Sequence, residues 1–203
     1  MLPPWMIPAG RAVLAIALGL VITFSQAHTA GFGLVVFGGY AVLAGAFLLL
    51  AWFGPRAPER ARTAFQAQGV VTVLAGIAAL VQPAGGMAYF VWVLSGWAIV
   101  TGALETVSGI RYRGSAPEWT DWVVTGVLTI ALGAIALVLP PDIADVFATP
   151  DESVQGMLTS PIIVIGLLGG WAVITGVLQA IGAATPVIAR RRTVAAPSAA
   201  RTR

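Results

Sequence analysis

The chain has 203 residues, 58% of them hydrophobic and 9% charged, with a mean hydropathy of +0.91 and a formal net charge of +3. A soluble domain carries about 25% charged residues, so this composition cannot cover a water-facing globule. It excludes a soluble enzyme, a nucleic-acid-binding module and a disordered chain, and the absence of cysteine removes disulfides, thiol nucleophiles and cysteine metal sites.

In chain order, residues 1–10 read as an interfacial lead-in, with Trp5 among prolines. Hydrophobic runs follow at about 11–27, 32–53, 65–82, 87–110, 121–139 and 160–184. Each is long enough to cross a hydrocarbon core of about 30 Å as a helix. Helices are required because lipid offers no partners for backbone N–H and C=O groups. Polar or proline-containing segments end the runs: Ser25–His28, Gly54–Arg60, Gln82-Pro83, Arg111–Gly114 and Pro140-Pro141. Proline stops a helix because it lacks the donor and restricts the residue before it. The predicted organisation is therefore a six-helix membrane domain over 11–189, then a basic, disordered tail over 190–203.

The runs repeat. Gly19, Gly76 and Gly133 recur mid-run in the first, third and fifth segments at a spacing of 57 residues. The even segments share a second pattern: Gly39-Tyr40-Ala41-x3-Gly45, Gly96-Trp97-Ala98-x3-Gly102 and Gly170-Trp171-Ala172-x3-Gly176. The distance from odd glycine to even glycine is 20, 20 and 37 residues, and the extra residues fall in the Pro141–Ser160 loop. One helical hairpin is thus used three times, over about 11–53, 65–110 and 121–184. A cleaved signal peptide would not match later spans at a fixed period, so the first run is expected to be retained. Each repeat crosses twice, so the repeats are parallel and any internal symmetry axis follows the membrane normal. The fold class predicted is an all-α integral membrane protein of six transmembrane helices, arranged as three parallel-repeat hairpins.

Charge orients the hairpins. Every basic residue is arginine, and all fall at Arg11, in the Arg56/Arg60/Arg62 and Arg111/Arg113 loops, or in the tail. The alternate loops hold none, so the positive-inside rule predicts both termini in the cytoplasm. The sequence pI of about 10.2 then reflects topology, and the expected partner is the lipid bilayer rather than nucleic acid. A homo-oligomer or a larger membrane complex stays open.

The Ala-x3-Gly pairs put small residues on one helix face, and lipid gives no hydrophobic drive for helix association, so close packing must supply it. Gly39, Gly45, Gly96, Gly102, Gly170 and Gly176 are the predicted packing positions, with Tyr40, Trp97 and Trp171 filling equivalent space between hairpins. Trp52, Trp92, Trp119 and Trp122 lie near run ends and read as interfacial anchors. Glu105 is the one ionisable residue within a predicted span. A carboxylate facing lipid is costly, so it is expected to face the interior with Gln179, Thr101 and Thr175 as candidate polar companions, either locking hairpins together by bonding Gln179, a threonine or a cytoplasmic arginine, or acting as a proton-responsive group. Asp142, Asp145, Asp151 and Glu152 form an acidic outer loop that is either a solvated loop or one that discharges and packs on acidification. His28, the only histidine, has no acidic companion nearby. No catalytic, cofactor-binding or metal constellation is evident, and the chain is expected not to be an enzyme.

The stretch GWAIVTGALETVSGIRYR followed by EWTDWVVTGVLTIALGAIALVLP resembles the HdeD family of bacterial inner-membrane proteins. The resemblance covers roughly residues 10–190, and it rests on glycine, tryptophan and proline positions. The first repeat departs from it at Tyr40 and Leu48, and the third outer loop is long. The resemblance implies six helices and a role in acid or envelope stress tolerance. Two other classes remain open from the residues: a small transporter or channel, and an accessory subunit of a larger membrane complex.

Overall fold

The computed structural model describes residues 5–52, 59–116, 118–148 and 155–195. Six helices follow one another: α1 (Met6–Phe24), α2 (Ala30–Trp52), α3 (Glu59–Val81), α4 (Gly86–Arg111), α5 (Trp119–Val138) and α6 (Ser160–Ala195). All six are long and apolar enough to cross a membrane. Large apolar side chains such as Val13, Leu43, Leu74, Trp92, Val107 and Ile181 are exposed around the outside, where lipid acyl chains are their natural solvent.

The helix ends follow local chemistry. Thr29 Oγ1 accepts the Phe32 N–H at 3.2 Å and caps the start of α2. Gly86 and Gly114 have φ of +77° and +80°, and these left-handed residues turn the chain into α4 and out of it. Two predicted boundaries are corrected. α1 starts at Met6, so residues 6–10 are helix rather than lead-in, and Pro8 is tolerated because its first-turn nitrogen needs no intrahelical acceptor. α6 runs on to Ala195, so residues 190–195 continue the helix instead of opening the tail; residues 196–203 lie outside the described residues.

The segment read as an outer loop contains a β-hairpin. β1 (Ala144–Ala148) pairs antiparallel with β2 (Gln155–Thr159), Asp145 opposite Leu158. Its base is tied to the bundle by Ser160, which is fully buried. Ser160 Oγ accepts the Ile143 N–H at 2.8 Å and donates to the Pro140 carbonyl at 2.8 Å, while its own N–H reaches the Ile143 carbonyl at 3.2 Å. A long insertion above a membrane must satisfy its own backbone groups, and a strand pair does so without depending on water. Asp142 and Asp145 are exposed there; Asp151 and Glu152 lie outside the described residues.

The six helices form a closed ring, but the tightest seams are not inside the sequence hairpins. They join the even helix of one repeat to the odd helix of the next. A methyl group built on Gly45 of α2 would stand 2.8 Å from the Gly69 carbonyl oxygen of α3; on Gly102 of α4, 2.7 Å from Gly126 O of α5; on Gly176 of α6, 3.3 Å from Ala12 O of α1. A second crossing repeats the pattern. Gly76 approaches Gly38 O at 2.9 Å, Gly133 approaches Ser95 O at 3.1 Å, and Gly19 approaches Gly169 O at 3.4 Å. The α6–α1 seam closes the ring and is the loosest at both levels. At the first level Ala12 stands where the other seams have Gly69 and Gly126, and its methyl group holds the backbones apart.

The first glycine of each Gly-[Tyr/Trp]-Ala pattern behaves differently. A methyl group on Gly39, Gly96 or Gly170 would meet nothing within 4 Å. The expectation that these three pack helices is therefore corrected. They lie next to the central aromatic in sequence and so, at 100° per residue, point away from the seam.

The two glycine classes make a direct test. Gly96→Ala is expected to raise the melting temperature in detergent, by up to about 1 kcal/mol of stability, because it lowers the unfolded-state entropy and clashes with nothing. Gly102→Ala is expected to lower it by about 1–3 kcal/mol through overpacking. Equal effects at both sites would contradict the seam geometry.

Candidate functional site

The ring stacks repeat-equivalent positions around its centre, in layers. Nearest the arginine-rich end, α1, α3 and α5 contribute Arg11, Gln68 and Thr125, spaced 57 residues apart, while α2, α4 and α6 contribute Leu48, Glu105 and Gln179. One turn deeper come Ala15, Thr72 and Thr129 with Ala44, Thr101 and Thr175. The next layer is Tyr40, Trp97 and Trp171. Beyond it, toward the β-hairpin, Leu18, Leu34, Phe37, Phe90, Leu94, Ile165 and Leu168 are buried in one apolar core.

Glu105 is 2% exposed and accepts two hydrogen bonds from one guanidinium: Arg11 Nη1 donates to Oε1 at 2.7 Å and Nη2 to Oε2 at 3.1 Å. Gln68 Nε2 donates to Oε2 at 3.1 Å. A buried carboxylate persists only when paired and hydrogen-bonded, and the fork geometry of arginine supplies both together. Arg11 was read as an arginine of the flanking region that orients the chain. It lies instead in the second turn of α1 with its side chain turned into the bundle, so it joins repeat one to repeat two.

Below this cluster the hydroxyls serve the aromatics. Thr72 donates back to the Gln68 carbonyl at 2.7 Å, and its oxygen accepts the Trp97 indole N–H at 3.1 Å. Thr129 repeats this, donating to the Thr125 carbonyl at 2.7 Å and accepting the Trp171 N–H at 3.0 Å. In the first repeat the threonine position is Ala15, and the aromatic is Tyr40, which has no indole N–H to satisfy. The three rings meet edge to face around the pseudo-axis. Trp97 and Trp171 are 5.4 Å apart at 89°, Tyr40 and Trp171 6.1 Å at 80°, and Tyr40 and Trp97 6.5 Å at 88°. Such pairings follow the ring quadrupole, and the trio divides the bundle into a polar half and an apolar half.

A cavity of about 30 Å³ lies between these layers, lined by Arg11, Glu105, Gln68, Gln179, Thr101 and the aromatic trio among others. That volume holds on the order of two water molecules. The polar residues singled out from sequence are all buried, but they divide. Glu105, Gln179 and Thr101 line the cavity, whereas Thr175 is fully buried and donates to the Trp171 carbonyl at 2.8 Å. Among the described residues no hydrogen bond joins Glu105 to Gln179. Its partners are Arg11, one of the cytoplasmic-side arginines the sequence leaves open for it, and Gln68, which the sequence does not single out. The 57-residue register carried the signal, because it places both at one position of the ring.

Further aromatics lie near the helix ends. Trp122 packs edge-on against Phe65 at 4.9 Å and Tyr112 at 6.4 Å, in a small apolar cluster with Leu48. The Arg113 guanidinium lies 5.4 Å from the Trp119 ring centroid. His28 stands 6.4 Å from Phe32. No group of three His, Asp or Glu residues suited to a metal ion occurs among the described residues.

Residues 67–141 match a family described as a short repeat of unknown function, DUF308. The match spans most of α3, all of α4 and all of α5, and so includes Gln68, Thr72, Trp97, Glu105 and Thr129. No curated protein and no solved structure matches the chain.

The ion pair predicts a thermodynamic cycle. Arg11→Met leaves a buried carboxylate without its cation and is expected to destabilise the protein in detergent by about 3–5 kcal/mol. The double variant Arg11→Met with Glu105→Leu is expected to recover most of that loss, because a well-packed apolar pair avoids desolvation. Melting of the two variants by circular dichroism checks the order.

Proposed function

We propose that this chain is a non-enzymatic, HdeD-type protein of a bacterial inner membrane, with both termini in the cytoplasm, that contributes to acid or envelope stress tolerance. The observation that carries the reading is a bidentate carboxylate–arginine pair buried within the membrane-spanning bundle and joining two repeats. The matched repeat belongs to the family that contains HdeD-like membrane proteins, which supports the stress assignment.

The chemistry runs from proton to packing. At neutral pH the Glu105 carboxylate holds Arg11 and Gln68. When acid reaches the cytoplasmic end, a proton on Glu105 removes the charge that binds the guanidinium. Arg11 then has no anionic partner in the cluster, and a lone guanidinium does not stay in a membrane interior. α1 carries both Arg11 and the Ala12 contact of the least close of the three inter-repeat seams, so losing the pair frees α1 to shift against α6.

Acid survival of a strain lacking the chain tests this. Complementation with the wild type is expected to restore survival, and Glu105→Gln, which like the neutral acid leaves Arg11 without its anion at every pH, is expected to insert in the membrane and fail to restore it. Full survival with Glu105→Gln would overturn the reading. The polar half-cavity favours one alternative, a small transporter or channel, and pH-driven solute flux in proteoliposomes would select it. Orientation has its own test: Asp142→Cys is expected to react with an impermeant thiol reagent in intact cells, and Ser115→Cys only after lysis.

A further inference from the structure

Two buried acceptors in the cavity receive no hydrogen bond from any described residue. They are Gln68 Oε1 and Gln179 Oε1. Gln68 is 6% exposed and Gln179 9%, and both line the cavity beside Glu105. An unpaired buried carbonyl costs about 1–3 kcal/mol, so a fold that keeps two in one cavity is built to receive a donor there.

The donor's chemistry can be narrowed. The cavity's volume of about 30 Å³ admits on the order of two water-sized molecules. Its formal charges cancel, because Arg11 and Glu105 neutralise one another, so a metal cation gains no net attraction. An anion finds oxygen acceptors and a guanidinium already engaged at both terminal nitrogens. Water satisfies every condition, since it donates two hydrogen bonds and accepts one from an Arg11 N–H that Glu105 does not use, the Thr101 hydroxyl being given to the Trp97 carbonyl.

We propose that the central cavity is a water site in which ordered waters bridge Gln68 Oε1 and Gln179 Oε1 and deliver protons to Glu105. The inference rests on the acid-response reading above and assigns its proton route. The groups facing Glu105 are Arg11 from α1, Tyr40 from α2, Gln68 from α3, Thr129 from α5 and Gln179 from α6. Arg11 stays protonated throughout and the phenol of Tyr40 is no acid donor at low pH, so the proton must come from water. Arg11 is the opening: its side chain is 19% exposed against 2% for Glu105. In the step, an O–H bond of a hydronium in the cavity breaks and an O–H bond forms on a Glu105 carboxylate oxygen, leaving neutral water and a neutral carboxylic acid. The displaced Arg11 guanidinium keeps its charge.

Infrared difference spectroscopy on the purified full chain in lipid nanodiscs tests this. Acidification of the wild type is expected to produce a carboxylic C=O band, absent in Glu105→Gln. It is also expected to produce O–H stretching bands that shift in heavy-oxygen water. Gln179→Leu, which makes no hydrogen bond to Glu105, is expected to slow deuterium exchange of the carboxylic band by about tenfold, equivalent to about 1.4 kcal/mol in barrier. Gln179→Asn is expected to restore most of the rate. A Glu105 band without isotope-sensitive water bands, or Gln179→Leu exchange as fast as wild type, would overturn the proposal. The water bands are measured on the wild type, so a Gln179→Leu variant that fails to fold leaves that arm decisive. Loss of the water bands with a retained acid phenotype would sink this route alone, and retained bands with a lost phenotype would sink the stress reading alone.

Discussion

Close approach of backbones at glycine is the constraint on which everything else in this molecule depends. Lipid is as apolar as leucine, so the helices gain nothing by hiding apolar side chains from it, and association comes from dense packing. At Gly45, Gly102 and Gly76 the facing backbone atoms stand 2.7–2.9 Å from where a methyl group would sit. Three such seams, each between one repeat and the next, close six helices into a ring. A ring of three equivalent units has a centre at which each position meets its two counterparts.

That centre explains the distribution of polar residues. A lone glutamate on a lipid-facing helix is expensive; at the axis it meets the counterparts of its neighbours. Repeats two and three supply Gln68, Thr72, Trp97, Thr101 and Glu105, and then Thr125, Thr129, Trp171, Thr175 and Gln179. The first repeat supplies Ala15, Ala44 and Leu48 at the matching places, with Arg11 as its one charge. Its changes are correlated by chemistry. Where the threonine acceptor becomes Ala15, the tryptophan donor becomes Tyr40, so no indole N–H is left without a partner. Where the carboxylate position becomes Leu48, the opposing ring position becomes the arginine that neutralises Glu105 from another repeat.

The same asymmetry gives the ring a weak point. The ion pair stands at α1, and the seam that attaches α1 to α6 carries Ala12 in place of glycine, with approach distances of 3.3–3.4 Å at the two carbonyls. A buried ion pair is a poor source of net stability, because desolvation offsets most of its attraction. It is a strong source of discrimination between arrangements, since either partner alone is far worse than both. Placing it on α1 ties α1 to α4 by charge beside the least close of the three inter-repeat seams.

The six spans, the parallel repeat and the interior placement of Glu105 were legible in the sequence, because each follows from the solvent. Hydrocarbon demands unbroken apolar helices, and a fixed period with matching glycines survives any packing arrangement. The hairpins also read clearly as sequence units, yet the tight seams lie between them. Connection length does not determine which faces meet; glycine stripes on two sides of each helix allow either neighbour. For the same reason sequence did not separate Gly102, which touches a facing backbone, from Gly96, which touches nothing. The strand pair at 144–159 was hidden because its two short segments pair across an insertion with no strong turn signal. An arginine partner for Glu105 was legible, but that it is Arg11, and that Gln68 joins it, was hidden because they lie 94 and 37 residues from Glu105. The chain's own register places them at one level of the ring, but only closure of α1 against α6 brings Arg11, the first of these residues in the chain, across the axis to the carboxylate.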